Sequence, residues 1–221
     1  MNEGLRRSSA HVLTSDLNAP VLGHEVSHHL QRVLRLRAGE TVTVTDGNGN
    51  WRECHWTGET VEVAGDIQAS QARDKLIVAV AIPKGDRLEW MVQKLVEIGV
   101  DRIQLLEADR SVVRWDDRRT QKHLERLQRV VEAAIGQSRR VWNCEMLAPV
   151  STHEVLSEMA IAEPGGRSIR KGDVAVAVGP EGGWSDTELA VASESVSLSE
   201  QILRVETAAV VGATLMAAHR S

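Results

Sequence analysis

The sequence predicts an α/β domain on a largely parallel sheet, preceded by a small β-barrel. Three observations lead there. Apolar runs such as "KLIVAVAIP", Lys75 to Pro83, have no polar face, as strands buried on both sides require. From Lys75 onward such runs alternate with helix-period segments, the pattern of βαβ units. Before that point, short alternating strands surround Gly/Asn turns. The pattern changes near Gln68–Asp74, which divides the chain into residues 1–70 and 71–221.

Taken in order, "HEVSHHLQRVLRLRAGE" places Val26, Leu30, Val33 and Leu34 at helical spacing, with Gly39 to end the helix. "ETVTVTDGNGNWRECHW" alternates around Asp46-Gly47-Asn48-Gly49, which supplies the positive φ a hairpin needs. "ETVEVAGDIQAS" reads as another strand and its exit. One short helix among strands suggests the barrel. "DRLEWMVQKLVEIGV" is an amphipathic helix with Leu88, Met91, Val92, Leu95, Val96 and Ile98 inward and Gly99 as its cap. "DRIQLLEA" is a strand, "RRTQKHLERLQRVVEAAIGQS" a long helix and "VWNCEMLAP" a short strand. "STHEVLSEMA" reads as a helix with Ser151 and Glu154 in a capping box. "EPGGRSIRKGD" reads as a loop and "VAVAVGPEGG" as a central strand. Ser185 then caps a helix with Glu188 at N3, and a strand, an irregular loop and an Ala-rich helix close the chain.

The totals narrow the class. With 221 residues and 42% hydrophobic content, one large or two modest cores are possible. There is no Phe or Tyr, so six Trp carry all the aromatic mass. Net charge is −5, which argues mildly against nucleic-acid binding unless basic residues cluster. Cys54 and Cys144 fit neither metal spacing nor a secreted disulfide framework. The N-terminus lacks the apolar core of a signal peptide, and the stretch Thr207 to Ala218 is too short to span a bilayer. A cytoplasmic protein without membrane attachment is expected.

Ligands of open parallel sheets bind beyond the carboxyl ends of the strands. Gly179-Pro180-Glu181-Gly182-Gly183 lies at such an end, following Val178. Its glycines let backbone polar groups approach a ligand, and Glu181 needs a partner if buried there. The pentapeptide matches neither a dinucleotide fingerprint nor a Walker loop, and a plain strand-to-helix turn explains it equally well. A second candidate is "LSEQILRVETAAVVGA", Leu198 to Ala213. Here Arg204 and Glu206 flank Val205, Thr207 is a candidate N-cap, and Ala208, Ala209 and Gly212 permit close packing. A capped core helix with a solvated ion pair is the plain reading.

Basic residues form a third candidate. Arg6, Arg7, Arg32, Arg35 and Arg37 lie near the N-terminus; Lys84 and Arg87 follow the first buried strand; Arg110, Arg114, Arg118, Arg119, Arg139 and Arg140 lie further on. Arg suits phosphate because its planar fork donates paired hydrogen bonds. His24, His28 and His29 have no carboxylate or Cys at recognisable spacing, so an ordinary helix surface is preferred to a metal site. No Ser-His-Asp set is legible.

Together, "GPEGGWSDTEL" and "LSEQILRVETAA" resemble the paired C-terminal motifs of the ribosomal RNA small-subunit methyltransferase E family, 16S rRNA uridine-N3 methyltransferases of the SPOUT superfamily. "IPKGDRLEWMVQKLVEIGV", "QSRR" and "HHLQRVLRLRAGETVTVTDGNG" are similar to that family too, in its order, so the resemblance spans nearly the whole chain. It implies a PUA-like RNA-holding barrel over 1–70 and a SPOUT methyltransferase domain over 71–221. That domain would carry a deep C-terminal trefoil knot that binds S-adenosyl-L-methionine. It also implies a homodimer with the active site near the subunit interface, 16S rRNA in the small ribosomal subunit as partner, and no metal.

Carried over by residue, Gly179, Pro180, Glu181, Gly182 and Gly183 match the first knot loop. Leu198, Ile202, Leu203, Arg204, Glu206, Thr207 and Ala208 match the second. The resemblance thus implies a cofactor site of Val178 to Gly183 with Leu198, Ile202, Leu203, Glu206, Thr207 and Ala208. RNA contacts are expected from Arg6, Arg7, Arg32, Arg35, Lys84, Arg87, Arg114, Arg139 and Arg140. Gly136 stands where the family often has Glu, and Val205 replaces the commoner Thr.

Uracil N3 must lose its proton before it attacks a methyl group, so a nearby cation is expected. Arg204 is the candidate, with Glu206 expected to orient it or to help hold the loop; Arg139 or Arg140 of the other subunit is the rival. Glu181 is expected to be held by hydrogen bonds at the cofactor site. The alternatives are an RNA-binding ribosome-assembly factor with a vestigial cofactor pocket, and a different α/β ligase or nucleotide-binding enzyme.

Overall fold

A computed structural model describes residues 2–220. The chain forms two compact units, Met1–Ala72 with Glu132–Asn143, and Arg73–Val131 with Cys144–Ser221.

The first unit opens with α1 (Glu3–Arg7), capped by the Asn2 side chain, and β1 (Ala10–Leu13). A short helix α2 (His24–His28) runs into a π-type turn over His29–Val33. Val33 and Leu34 are exposed there, not inward as helical spacing predicts, because the wider turn and the left-handed Arg35 (φ 55°) rotate them off the core face. Strands β2 (Thr41–Thr45) and β3 (Asn50–Trp56) form the expected hairpin, with Gly47 and Gly49 at positive φ. β1 pairs parallel with β2, while β4 (Val61–Val63) and β5 (Gln68–Ala69) share the far edge of β3. Val42, Val44, Cys54 and Trp56 are fully or almost fully buried between them. Glu132–Asn143 belongs to this unit, although the sequence reading leaves it in the second domain. Within it, the Cβ that any other residue would carry at Gly136 would sit 3.0 Å from the His11 carbonyl oxygen. That close approach disfavours Glu here.

The second unit carries a six-stranded, all-parallel sheet in the order β11-β9-β10-β6-β7-β8. Its strands are β6 (Ile77–Ala81), β7 (Arg102–Glu107), β8 (Glu145–Ser151), β9 (Ala160–Ser168), β10 (Ala175–Val178) and β11 (Glu194–Ser197). Helices α3 (Arg87–Ile98), α4 (Asp117–Ser138), α5 (Asp186–Val191) and α6 (Val205–Ala218) complete the fold. α3 ends at Gly99 (φ 107°), and its face of Leu88, Met91, Val92, Leu95 and Val96 is buried, with Ile98 half-buried. α6 packs against α3, β6 and β10, where Gly212 allows close contact with Val176.

Two elements differ from the sequence reading. "EPGGRSIRKGD" is not all loop, since β9 runs through Glu163-Pro164-Gly165-Gly166 to Ser168. Gly166 is required there: a Cβ would lie 2.6 Å from the Ser195 and Val196 backbone at a shift in the β9–β11 register. "STHEVLSEMA" forms two 3-10 turns, Thr152–Glu154 and Leu156–Glu158, although its Ser151–Glu154 capping box is present.

Candidate active site

The carboxyl ends of β10 and β11 and the body of β9 open on a cavity of about 340 Å³. One wall is Val178 to Trp184, a second Ser197–Ser199 with Gln201–Leu203, and a third Ala162–Pro164; Val205 and Ala208 add the start of α6. The fold thus brings together the two loops that the sequence singled out. Among the described residues, Glu163 and Glu181 are the charged lining residues, and no Lys, Arg or His lines the cavity.

The first wall is built by close packing. A Cβ at Gly179 would lie 2.8 Å from the Trp184 ring, so only glycine allows the indole to lie against the backbone there. Trp184 is buried and donates its Nε1–H to the Ala162 carbonyl at 3.1 Å, tying β10's exit to β9. The turn closes with the Gly183 amide donating to the Pro180 carbonyl at 2.9 Å, Gly183 being at φ 70°. Arg110 Nη1 donates to the Gly182 carbonyl at 3.2 Å.

Glu181 does not fulfil its expectation. It is exposed at the rim and makes no hydrogen bond or ion pair among the described residues. The tip of a tight turn points its side chain outward. The buried acid of this motif is Glu188, with 0% exposure. Its Oε1 accepts from the Thr152 hydroxyl at 2.7 Å and the Asp109 amide at 3.0 Å, and its Oε2 from the Ser185 amide at 2.8 Å. Ser185 is the N-cap of α5, as its spacing from Glu188 predicts. Hydroxyls of Ser185 and Thr187 donate to Asp109, holding its carboxyl below the usual carboxylate range.

In the second loop, Leu198, Ile202, Leu203 and Ala208 line the cavity, whereas Arg204, Glu206 and Thr207 do not. Arg204 itself is the N-cap residue of α6, so Thr207 lies inside the first turn and is no cap. The Arg204 side chain is exposed and makes no hydrogen bond or ion pair among the described residues. Glu206 does not orient it. Glu206 turns the other way and pairs with Arg87 at 3.3 Å.

The arginine set also divides. Arg140 is buried and donates to the Trp142 and Asn143 carbonyls. Arg139, at φ 58°, donates to the Gly136 and Ser8 carbonyls, both at 2.9 Å, and burial lowers its pKa. These guanidiniums hold backbone within their own unit. Arg7 pairs with Glu3, while Arg6, Arg32, Arg35, Lys84 and Arg114 make no such bond among the described residues.

Sequence reasoning missed Ala162, Glu163, Pro164, Trp184, Ser197, Ser199, Gln201 and Val205. Trp184 directly follows the glycine motif and was within reach. Glu163 and Pro164 were hidden by punctuation that reads as loop.

The RNA methyltransferase domain model matches residues 70–217, and the RNA methyltransferase PUA domain model matches residues 22–60. A ribosomal RNA small subunit methyltransferase E from Synechocystis is 31% identical over 82% of this chain and 67% of its own length. One from Mycobacterium bovis is 31% identical over 86% and 83%. A ribosomal RNA small subunit methyltransferase E from Neisseria gonorrhoeae, solved bound to S-adenosyl methionine, superposes with TM-score 0.78 and 28% identity, covering 93% of this chain and 95% of that one. A Legionella pneumophila protein solved with bound SAM gives TM-score 0.82 at 26% identity, over 96% and 98%. The parallel α/β domain and the preceding PUA-type domain are both present, and the chain belongs to the ribosomal RNA small subunit methyltransferase E family.

Proposed function

We propose that the protein transfers the methyl group of S-adenosyl-L-methionine to N3 of a uridine in the 16S rRNA of the small ribosomal subunit. The observation that carries this reading is the cavity formed by Val178–Trp184 and Ser197–Leu203 at the strand ends, within the span of the methyltransferase match. Its residues fit the cofactor. A volume of about 340 Å³ lies in the ~300–1,000 Å³ range of ligand sites. Leu198, Leu203, Val205 and Ala208 offer an apolar seat for a purine, and the glycine wall offers backbone polar groups. Glu163 and Glu181 give the cavity a negative charge suited to a cationic ligand.

Bound S-adenosylmethionine supplies a methyl carbon activated by a sulfonium. Val178–Trp184 and Ser197–Ser199 with Gln201–Leu203 would hold the cofactor in one place, so that an approaching base would need little further ordering. Arg204, exposed between the lining residues Leu203 and Val205, stabilises the anion that forms as uracil N3 loses its proton. Residues 1–70 hold the RNA and 71–221 carry the chemistry, with Arg6, Arg7, Arg32, Arg35, Lys84 and Arg114 as phosphate contacts. The strand order, in which β11 crosses beyond β9 before α6 returns to β10 and β6, supports a trefoil knot around the cofactor loops. Ile202, 84% exposed at the rim, supports a homodimer in which a second copy covers it. A ribosomal substrate supports a cytoplasmic location.

The test is transfer of tritiated methyl from S-adenosylmethionine to small subunits lacking the modification, followed by nucleoside analysis. Label in N3-methyluridine is expected; absence of any label refutes the enzyme reading and leaves an RNA-binding assembly factor.

A further inference from the structure

We infer that Asp109 is a positioning residue for the cofactor wall: it holds Gly179–Gly183 in its binding shape through Ser185 and Thr187. The inference rests on the proposed methyltransferase reading and names a residue outside both cofactor loops and outside the cavity lining.

Asp109 follows β7 at the carboxyl edge of the sheet, one strand removed from β10, and the segment it begins reaches across to β10's glycine turn. One carboxylate oxygen, Oδ2, accepts from the Ser185 hydroxyl and from Thr187 Oγ1, the latter at 3.0 Å. The Asp109 amide donates to buried Glu188 at 3.0 Å, and Glu188 also accepts from the Ser185 amide and from Thr152. The next residue, Arg110, donates to the Gly182 carbonyl at 3.2 Å, and its Cβ lies 3.2 Å from the place a Gly182 side chain would occupy. Trp184 ties the same loop to the Ala162 carbonyl. The glycine turn is therefore fastened at its middle and at its exit by groups that follow β7 and by the Ala162 carbonyl within β9. The turn is rich in glycine, so it has many conformations to lose. A cofactor that finds it already ordered does not pay that ordering cost, and binding tightens accordingly.

Asp109 is exposed, so its loss does not open a core. The Asp109→Ala variant removes both hydroxyl bonds. Asp109→Asn keeps an amide oxygen where Oδ2 stands and so keeps both. The experiment measures S-adenosylmethionine affinity by calorimetry on the full chain, then the KM for S-adenosylmethionine, kcat at saturation and Tm. For Asp109→Ala we expect Kd and KM raised about tenfold, kcat within twofold and Tm little changed. Asp109→Asn should restore affinity to within about threefold of the parent. A parent that binds and methylates while Asp109→Ala binds equally well overturns this inference alone. Equal losses in kcat and Tm without a KM change also overturn it, since they mark a merely structural role. A parent that binds no S-adenosylmethionine overturns the function and this inference with it.

Discussion

Glu206 and Arg87 face each other at 3.3 Å across the first turns of α6 and α3. The Glu206 side chain is 9% exposed and Arg87 42%, so the acid is nearly desolvated and the guanidinium is not. The pair fixes where α6 begins, immediately after the second cofactor loop. It also means that Arg87, read from sequence as an RNA contact, already spends its charge on a neighbour.

That pairing separates Arg87, at the start of α3, from Lys84, three residues earlier in the preceding loop and without a partner among the described residues. Each phosphate contact contributes about one unit to the dependence of log affinity on log salt. Lys84→Ala should lower the slope for RNA binding by about 1, and Arg87→Ala by clearly less. Arg87→Ala should instead leave Glu206 unpaired and lower Tm by about 2–4 °C, corresponding to about 1 kcal/mol. Filter binding across a salt series, with thermal melts of both variants, checks this; equal slopes for the two variants count against the assignment.

Arg204 stands next to the cavity without lining it. Replacing it by Ala should therefore reduce single-turnover methyl transfer by about 10²–10³-fold, as loss of one preorganised charge does elsewhere. Affinity for S-adenosylmethionine, measured by calorimetry, should change less than threefold. Loss of cofactor affinity in place of rate removes Arg204 from the catalytic role.

Gly179 is the tightest position in the first wall. A methyl group there meets the Trp184 ring at 2.8 Å, and the indole is fixed on its other side by its bond to Ala162. The ring and the β10 exit must move apart. Gly179→Ala should weaken S-adenosylmethionine binding by at least tenfold. Gly183→Ala, with nothing within 4 Å but φ at 70°, should cost about 1 kcal/mol of backbone strain and weaken binding less. The order of the two Kd values decides between steric and conformational control of the turn.

Periodicity carried much of the fold because the elements that matter most obey it. Ile77–Ala81 is apolar throughout and lies in mid-sheet, and α3 shows its buried face in the spacing of Leu88, Met91, Val92, Leu95 and Val96. β9 was hidden because Pro164, Gly165 and Gly166 normally break strands. Here Gly166 serves a backbone crossing that exists only once β11 is in place. The pairing of the two cofactor loops was legible through family resemblance. Which acid is buried was not. Glu181 and Glu188 stand seven residues apart in one motif, and burial follows from Thr152 and Asp109, which reach Glu188 from distant parts of the chain. Nothing local says either that the Arg139 and Arg140 donors meet the Ser8, Gly136, Trp142 and Asn143 carbonyls.

His11 gives the first unit a defined acid limit. It is 5% exposed, and its ring lies between the Thr43 hydroxyl at 2.8 Å and the Arg140 carbonyl at 2.9 Å. The carbonyl can only accept, so Nε2 carries the proton and Nδ1 accepts from Thr43. Burial lowers the pKa from 6.5 to about 4, and the Arg139 charge adds to that, against the opposing pull of the Arg140 carbonyl. The unfolded chain therefore takes up a proton near pH 6.5 that the folded unit refuses until about pH 4. Stability from this residue is complete above pH 6.5 and falls as pH drops through that window, by about 3 kcal/mol in all. His11→Gln reproduces the donor and the acceptor without a titrating ring. Urea unfolding at pH 7.5 and pH 5 should show the parent losing about 2 kcal/mol more than His11→Gln between the two, since pH 5 lies inside the window. Identical losses in both proteins place the acid sensitivity elsewhere.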